Sequence, residues 1–355
     1  MAKPFVSVLI DTYNHERFIE KAIVSALEQD FPAAEREILV VDDGSSDGTP
    51  EIVRKFEPHL RVLRKLNGGQ ASAFNAGIPE CKGEIIAFLD GDDWWAPGKL
   101  KRVTEVLNSE ASVGLLGHGI HEAFTDGRIH TSAPEKNERL RLNSLAAARV
   151  FRLRKSYLGT SRMILRAELA RRILPIPESL VFEADEYVFT VGALMSELII
   201  LQDALTYYVI HGSNLYLSGG GGNAGVRRKQ QVMTALACAL RNDLAARGAS
   251  AEIVSCIVEI VQAEADQMRL MLDGGASWET VRTENKIYEV LHSDAPRSHR
   301  AFRALAMLPA MLLPPQWFYA GRRWLGARVW YRRARQGVLP VPEITRVAGP
   351  EEFKA

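Results

Sequence analysis

The chain has 355 residues, 47% of them hydrophobic and 25% charged, with a formal net charge of +1. That is an ordinary globular composition with room for one large catalytic domain and a smaller appendage, and the overall charge points to no class of partner. Cys81, Cys238 and Cys256 are scattered, which excludes a cysteine metal site and suits a reducing compartment. No apolar run reaches the roughly 18 residues that a membrane-crossing helix needs.

The chain opens on Phe5-Val6-Ser7-Val8-Leu9-Ile10, a short apolar run that reads as a strand rather than a leader. It stops at the polar Asp11-Thr12-Tyr13-Asn14. From 17 to 29, apolar residues fall at Phe18, Ile19, Ala22, Ile23, Ala26 and Leu27, a helical spacing. A second strand, Ile38-Leu39-Val40-Val41, ends in Asp42-Asp43-Gly44-Ser45-Ser46-Asp47. Thr49 and Pro50 suit a helix start, with Thr at the cap and Pro in the first turn. A weaker strand lies around Val62-Leu63, a turn at Asn67-Gly68-Gly69 and a short helix over 70–78. The strand 85–89 then runs into Asp90-Gly91-Asp92-Asp93-Trp94-Trp95. Strands alternating with helices predict βαβ units and a mostly parallel sheet.

In such a sheet the strand ends Asp11 to Asn14, Asp42 to Asp47 and Asp90 to Asp93 share one edge, where ligands of open α/β sheets bind. Clustered carboxylates repel and are costly to desolvate unless a cation sits among them. Any one polar strand end is unremarkable; three acidic ones on one edge point to a cationic or metal-bridged ligand. A nucleoside diphosphate held through Mg²⁺ or Mn²⁺ fits. The chain has neither a Gly-x-Gly-x-x-Gly nor a Walker loop, which disfavours dinucleotide and P-loop chemistry.

These motifs resemble family 2 glycosyltransferases of the GT-A fold over about residues 5–215. The resemblance rests on Ser7-Val8-Leu9-Ile10-Asp11-Thr12-Tyr13-Asn14, on Val41 to Thr49, on Asn67-Gly68-Gly69-Gln70 with Asn75-Ala76-Gly77, and on Asp90-Gly91-Asp92-Asp93, in matching order and spacing. Asp11 stands where the family usually has Pro, Gly91 where it usually has Ser, and Phe74 where many members have an Arg. A cationic contact to the diphosphate is then missing or supplied from elsewhere.

The resemblance implies a mixed, mostly parallel GT-A (Rossmann-like) sheet flanked by helices, and an inverting, metal-dependent sugar transfer from a nucleotide sugar, UDP first. By analogy Thr12, Tyr13, Asn14, Asp42, Asp43, Gly69, Asp90 and Gly91 line the nucleotide. Asp92, Asp93 and His211 hold Mn²⁺ or Mg²⁺. His211 stands in a Tyr207-Tyr208-Val209-Ile210-His211 segment similar to the family's closing motif. Asp185 matches the catalytic base, with Glu186 and Glu183 as competitors; the alternative is that these acids favour a helix N-terminus. His118, His121 and His130 read as structural or acceptor-facing. Trp94 and Trp95 read as packing, or as one stacking wall for an acceptor sugar.

The expected division is a domain over 1–218 (nucleotide-sugar half 1–110, acceptor half 111–218), a Gly-rich linker or loop over 219–224, and a helical region over 225–355. Helices are expected over 226–247, 251–272 and 278–291. From 297 to 335 there are nine arginines and no acidic residue, interleaved with Trp317, Trp324, Trp330 and other aromatics. That composition suits an anionic membrane surface; the alternatives are a helix packed on the core with solvated arginines or, less favoured, nucleic acid, which is not an expected partner. The resulting expectation is a cytoplasmic enzyme, peripheral at the inner face of the membrane. Its partners would be a nucleotide-sugar donor and a carbohydrate or lipid-linked acceptor of polysaccharide, glycolipid or cell-envelope glycan synthesis. The competing functions are a sugar nucleotidyltransferase, which would want a basic Gly-rich phosphate loop that is absent, and a non-catalytic nucleotide-sugar-binding module.

Overall fold

The structure is a computed structural model that describes residues 5–211, 222–291, 297–326 and 344–345. Residues group into two compact units. Unit 1 comprises 1–143, 154–211 and 343–355, and unit 2 comprises 144–153 and 212–342.

Among the described residues, unit 1 is built on an eleven-stranded mixed sheet. Strands β1 (Val6–Thr12), β2 (Arg36–Asp42), β3 (Arg61–Arg64) and β4 (Ile85–Asp90) run parallel in the order β3-β2-β1-β4. The sheet continues through β9 (Ile164–Arg166), antiparallel to both β4 and β6 (Val113–Phe124). β6 is flanked by β7 (Ile129–Ser132) and by β10 (Glu197–Ile210), which runs parallel to it. β10 also carries the short β5 (Trp94–Trp95) and β8 (Glu138–Leu140), both antiparallel. The two-residue β11 (Ile344–Thr345) pairs with β7.

Both faces of the parallel part are covered, so β1 and β4 are apolar at nearly every position instead of alternating. Val6, Val8, Leu9, Ile10 and Ile85 to Leu89 are fully buried. Helix α1 (Ile19–Leu27) buries Ile19, Ala22, Ile23 and Ala26, the stripe that its spacing predicts. Helix α2 (Thr49–Arg54) departs from expectation in its cap. Gly48, not Thr49, is the N-cap, because the Thr49 hydroxyl accepts a hydrogen bond from the His15 N–H (2.8 Å). Helix α3 (Gln70–Glu80) follows Gly69, whose φ is +83° and whose missing Cβ would lie 2.5 Å from Val181 Cα. Only glycine allows both the left-handed turn and that close approach. Helix α4 (Lys99–Ser109) follows β5. Helices α5 (Leu145–Arg154), α6 (Ala167–Ile173) and α7 (Ala184–Met195) come later in the chain.

Unit 2 is helical: α8 (Asn223–Ala246), α9 (Ala251–Asp273), α10 (Ser277–Leu291), α11 (Arg297–Ala306), α12 (Leu308–Leu312) and α13 (Pro315–Gly326), with residues 144–153. The first three match the expected spans to within a turn. Ser250 caps α9 by accepting from the Ile253 N–H (3.4 Å). Leu270 of α9 packs with Met307, Ala310, Phe318 and Tyr319. Of the expected glycine linker, Gly219, Gly220 and Gly221 lie outside the described residues, as does 327–335 of the basic segment. No described helix is long and apolar enough to cross a membrane.

Candidate active site

The register of the parallel strands sets Asp11 opposite Asp90 and Thr12 opposite Asp42. Loop hydrogen bonds then knit the strand ends together. The Gly91 N–H donates to the Asp11 carbonyl and the Asp43 N–H to that of Thr12, each at 2.9 Å. The polar clusters at the ends of β1, β2 and β4 therefore converge on one edge of the sheet.

Several of the expected nucleotide-lining groups serve the scaffold of that edge. Asn14, at φ +56°, accepts from the Ser46 N–H (2.8 Å), and its own N–H donates to the Ser45 hydroxyl (2.9 Å). Asp42 accepts from the Ser45 N–H (2.9 Å). The buried Asp43 carboxylate accepts from the Gly68 N–H (3.1 Å), the Gly69 N–H (2.7 Å) and Lys65 Nζ (2.6 Å). Its charge is fully answered within the protein, and it fixes the turn that starts α3. Thr12 is buried, with its hydroxyl 3.2 Å from His15 Nδ1. Tyr13 is 44% exposed, with a ring open to stack on a base.

At the end of β4 the situation is reversed. Asp90, Asp92 and Asp93 each offer an oxygen within 4.8 Å of the others. Asp93 is 1% exposed; its Oδ1 accepts from the Val209 N–H (2.9 Å), while its buried Oδ2 has no hydrogen-bond partner. Asp11 Oδ1 is orphaned in the same way. Burial, then the neighbouring Asp92 charge, pushes the Asp93 carboxyl up to about 7. Burial raises Asp90 and Asp11 well above the usual carboxylate range, reinforced by their charged neighbours. Asp92 alone is held low: burial works to raise it, but the His211 hydrogen bond (Nε2 to Oδ2, 3.0 Å) and the nearby His15 (4.0 Å) prevail. A hard oxygen cluster with orphaned buried carboxylate oxygens fits a divalent cation. His211 stacks on Phe18, with ring centroids 4.4 Å apart.

Gly91 gives this loop its shape. A Cβ there would lie 2.6 Å from Thr12 Oγ1 and 2.7 Å from His15 Nδ1. The glycine in place of the more usual serine is what lets the His15 ring stand beside Asp92.

Asp185 lies in the first turn of α7, where carboxylates are favoured. Its Oδ2 accepts from the Thr160 N–H (3.0 Å) and hydroxyl (3.2 Å), and Oδ1 from the Glu186 N–H (2.8 Å). Burial raises its carboxyl despite those hydrogen bonds. Its charge in turn contributes to the raised Asp11 and Asp90, so the three share one electrostatic pocket. Glu186 is buried and paired with Lys155 Nζ (3.2 Å). Glu183 precedes the helix in a left-handed conformation (φ +62°).

Sequence reasoning missed the short turn Thr160–Arg162 that joins these groups. Thr160 holds Asp185. The Ser161 hydroxyl accepts from the Asp90 N–H (3.0 Å). The Ser161 carbonyl accepts from Lys99 Nζ (2.6 Å) and from the Thr206 hydroxyl (2.7 Å). Lys99 is fully buried, its ammonium 4.2 Å from the Trp95 ring centroid, and burial holds its pKa well below the usual lysine range. His15 was missed as well. The only signal for either was its place next to a motif.

Phe74 is buried edge-on against Phe88 and supplies no contact to an anion. Trp94 lies between Lys21 Nζ (3.2 Å from its ring centroid) and the stacked Tyr207 ring (5.4 Å), while Trp95 is buried. His118 is buried, His121 stacks on Tyr207, and His130 pairs with Glu122 (2.9 Å).

The same architecture recurs in known proteins. Residues 7–174 match the family model Glycosyl transferase family 2. An uncharacterized glycosyltransferase of Nostoc sp. is 31% identical over 234 residues, 64% of this chain and 71% of the relative. The chain belongs to glycosyl transferase family 2. Another relative of this glycosyltransferase is AglE of Haloferax volcanii, 30% identical over 51% of the chain and 59% of AglE. Among solved structures, residues 1–349 of S. aureus TarS superpose with a TM-score of 0.53 at 22% identity, covering 81% of each chain. The mannosyltransferase PcManGT of Pyrobaculum calidifontis, solved with GDP-Man and Mn²⁺, superposes at 0.52 and 20% identity, covering 96% of this chain and 88% of its own. These likenesses establish the GT-A fold of the present glycosyltransferase.

Proposed function

We propose that the enzyme is a metal-dependent, inverting glycosyltransferase that moves a sugar from a nucleotide sugar, UDP-linked first, to an acceptor hydroxyl in polysaccharide, glycolipid or cell-envelope glycan synthesis. The observation that carries this reading is the Asp90, Asp92 and Asp93 cluster with its orphaned Asp93 Oδ2, linked to Asp185 through the Thr160-Ser161 turn. Asp92, Asp93 and His211 would hold Mn²⁺ or Mg²⁺. The ion supplies charge stabilisation for the departing diphosphate, worth several kcal/mol.

The residues of the chain do the rest. Tyr13 stacks on the base. Asp42, fixed at the end of β2, receives the base or ribose hydrogen bonds. Asp185 takes the proton of the acceptor hydroxyl as that oxygen attacks the anomeric carbon and the bond to the diphosphate breaks on the opposite face. Its raised pKa suits this task, since a base titrating nearer the working pH has a larger driving force for proton capture. The Thr160 N–H and hydroxyl aim its carboxylate. TarS has been solved in complex with UDP, and its curated name makes it a poly(ribitol-phosphate) beta-N-acetylglucosaminyltransferase, which favours UDP and a cell-envelope acceptor here. The free cysteines suit a cytoplasmic site of action.

Thermal melting with a panel of nucleoside diphosphates and nucleotide sugars, each with and without Mn²⁺ or Mg²⁺, tests the donor site. A ligand at about a hundred times its Kd stabilises by about 2.7 kcal/mol. A shift that requires the ion and selects one base supports the reading, and no shift with any pair contradicts it.

A further inference from the structure

The closing helices of unit 2 leave an apolar face open to solvent. The short α12 is apolar on every side. Met307 and Ala310 face inward, packed with Phe318, Tyr319 and Leu270. Leu308, Met311, Leu312 and Leu313 face outward, flanked by Leu305 and Trp317. Leu312 is 81% exposed, Trp317 72% and Leu305 67%. A helix that is apolar all round is normally buried all round. Single exposed apolar residues are common, but a contiguous set of six over 305–317 marks a surface that something covers.

Charge identifies what covers it. From 297 to 335 the sequence carries nine arginines and no acidic residue. Two of these arginines serve the fold: Arg322 pairs with the buried Glu284 at 2.6 Å, and Arg303 lies 3.8 Å from the same carboxylate. Arg300, on α11, is exposed. A second copy of the chain would bring the same arginine-rich segment, which has no acidic residue of its own, against itself, which like-charge repulsion opposes. An anionic bilayer answers both features at once. Its headgroups attract the arginines, and its acyl boundary takes up the leucines, with Trp317 at the interface. Pro309, Pro314 and Pro315 interrupt the run and keep it short, so it lies in the surface and does not cross it.

We propose that the face formed by Leu305, Leu308, Met311, Leu312, Leu313 and Trp317, with its flanking arginines, docks this enzyme on an anionic lipid surface. This inference does not rest on the donor, metal or base assignments.

The test is co-sedimentation of the full chain with vesicles of phosphatidylcholine alone and of phosphatidylcholine mixed with phosphatidylglycerol, in parallel with sedimentation velocity without lipid. The wild type should pellet with the mixed vesicles, bind the neutral ones weakly, and release as salt screens the arginines. Replacing Leu312→Asp and Trp317→Asp together should lower the partition coefficient about tenfold or more, because both the apolar and the interfacial contacts go. Both side chains are largely exposed, so the melting temperature should hold, and the milder Leu312→Ser checks the result if it does not. Failure of the wild type to pellet with anionic vesicles overturns the proposal, as does binding that the double variant leaves unchanged. A wild-type dimer that the double variant dissociates, without vesicle binding, assigns the face to a second copy and overturns it too.

Discussion

Two strand ends, on either side of β1, carry the same pair of letters and use them in opposite ways. At the end of β2, the second aspartate of Asp42-Asp43 is buried and answered by Lys65 and the amides of Gly68 and Gly69. At the end of β4, the second aspartate of Asp92-Asp93 is buried with one oxygen unanswered, among two further carboxylates. The first arrangement is complete in the protein alone and shapes a turn. The second leaves a buried carboxylate oxygen unanswered, which is the ground for proposing a cation there. A buried acid thus marks a ligand site when its neighbours fail to neutralise it, not merely when it falls in a motif.

The comparison can be broken at either end. The largest effect is expected at the pocket the β4 cluster shares with Asp185. Asp185→Asn should lower transfer turnover about 10²–10⁴-fold with little change in donor affinity, since it removes the base and leaves the binding groups. Steady-state transfer kinetics alongside donor titrations would check this; unchanged turnover would move the base to another residue. At the β2 end, Asp43→Ala should act on stability, costing about 2–4 kcal/mol in urea unfolding. It leaves the Lys65 ammonium with only the Leu66 carbonyl and removes the acceptor of the Gly68 and Gly69 amides.

Asp93 sharpens the contrast through pH. Its carboxyl is raised to about 7 in the folded state, above the unfolded value of 3.8. The folded protein therefore binds the extra proton, and the stability that this contributes is present at low pH and lost as pH rises through about 7. Without metal, Asp93→Asn should be more stable than wild type by about 1–3 kcal/mol at pH 8 and equal to it near pH 4, by urea unfolding at the two pH values. The same substitution at Asp43 should show no such gain. The smallest effect is expected for His15→Ala, about a tenfold loss of Mn²⁺ affinity in the presence of nucleotide, because His15 stands beside Asp92 without hydrogen-bonding it. Serine at position 91 should mimic it by displacing the ring.

Much of this was legible in the residues. The apolar runs of β1, β2 and β4 and their polar ends named the sheet edge, and the spacing of Ile19, Ala22, Ile23 and Ala26 gave the buried stripe of α1. The helices of unit 2 followed from the same periodicity. What was not legible depends on contacts between distant residues. Asp43 and Asp93 look alike until Lys65 and the Gly68-Gly69 turn are brought beside one and not the other. Thr49 reads as a cap until His15 takes its hydroxyl. Lys99 stands in no motif, and only its burial against Trp95 and the Ser161 carbonyl shows it as a buried support of the Thr160–Arg162 turn. Thr160 and Ser161 carry no motif of their own, yet they link the Asp185 and Asp90 groups.

The most direct test is calorimetric titration of UDP into wild type and Asp92→Ala, each with and without Mn²⁺, with GDP as the control base. The account predicts that wild type binds UDP at least about tenfold tighter with Mn²⁺ than without, a difference of about 1.4 kcal/mol, and that Asp92→Ala abolishes that gain while keeping the melting temperature. UDP affinity indifferent to Mn²⁺ in wild type, or a metal effect that survives in Asp92→Ala, would contradict the claim that the β4 carboxylates hold the cation that receives the diphosphate.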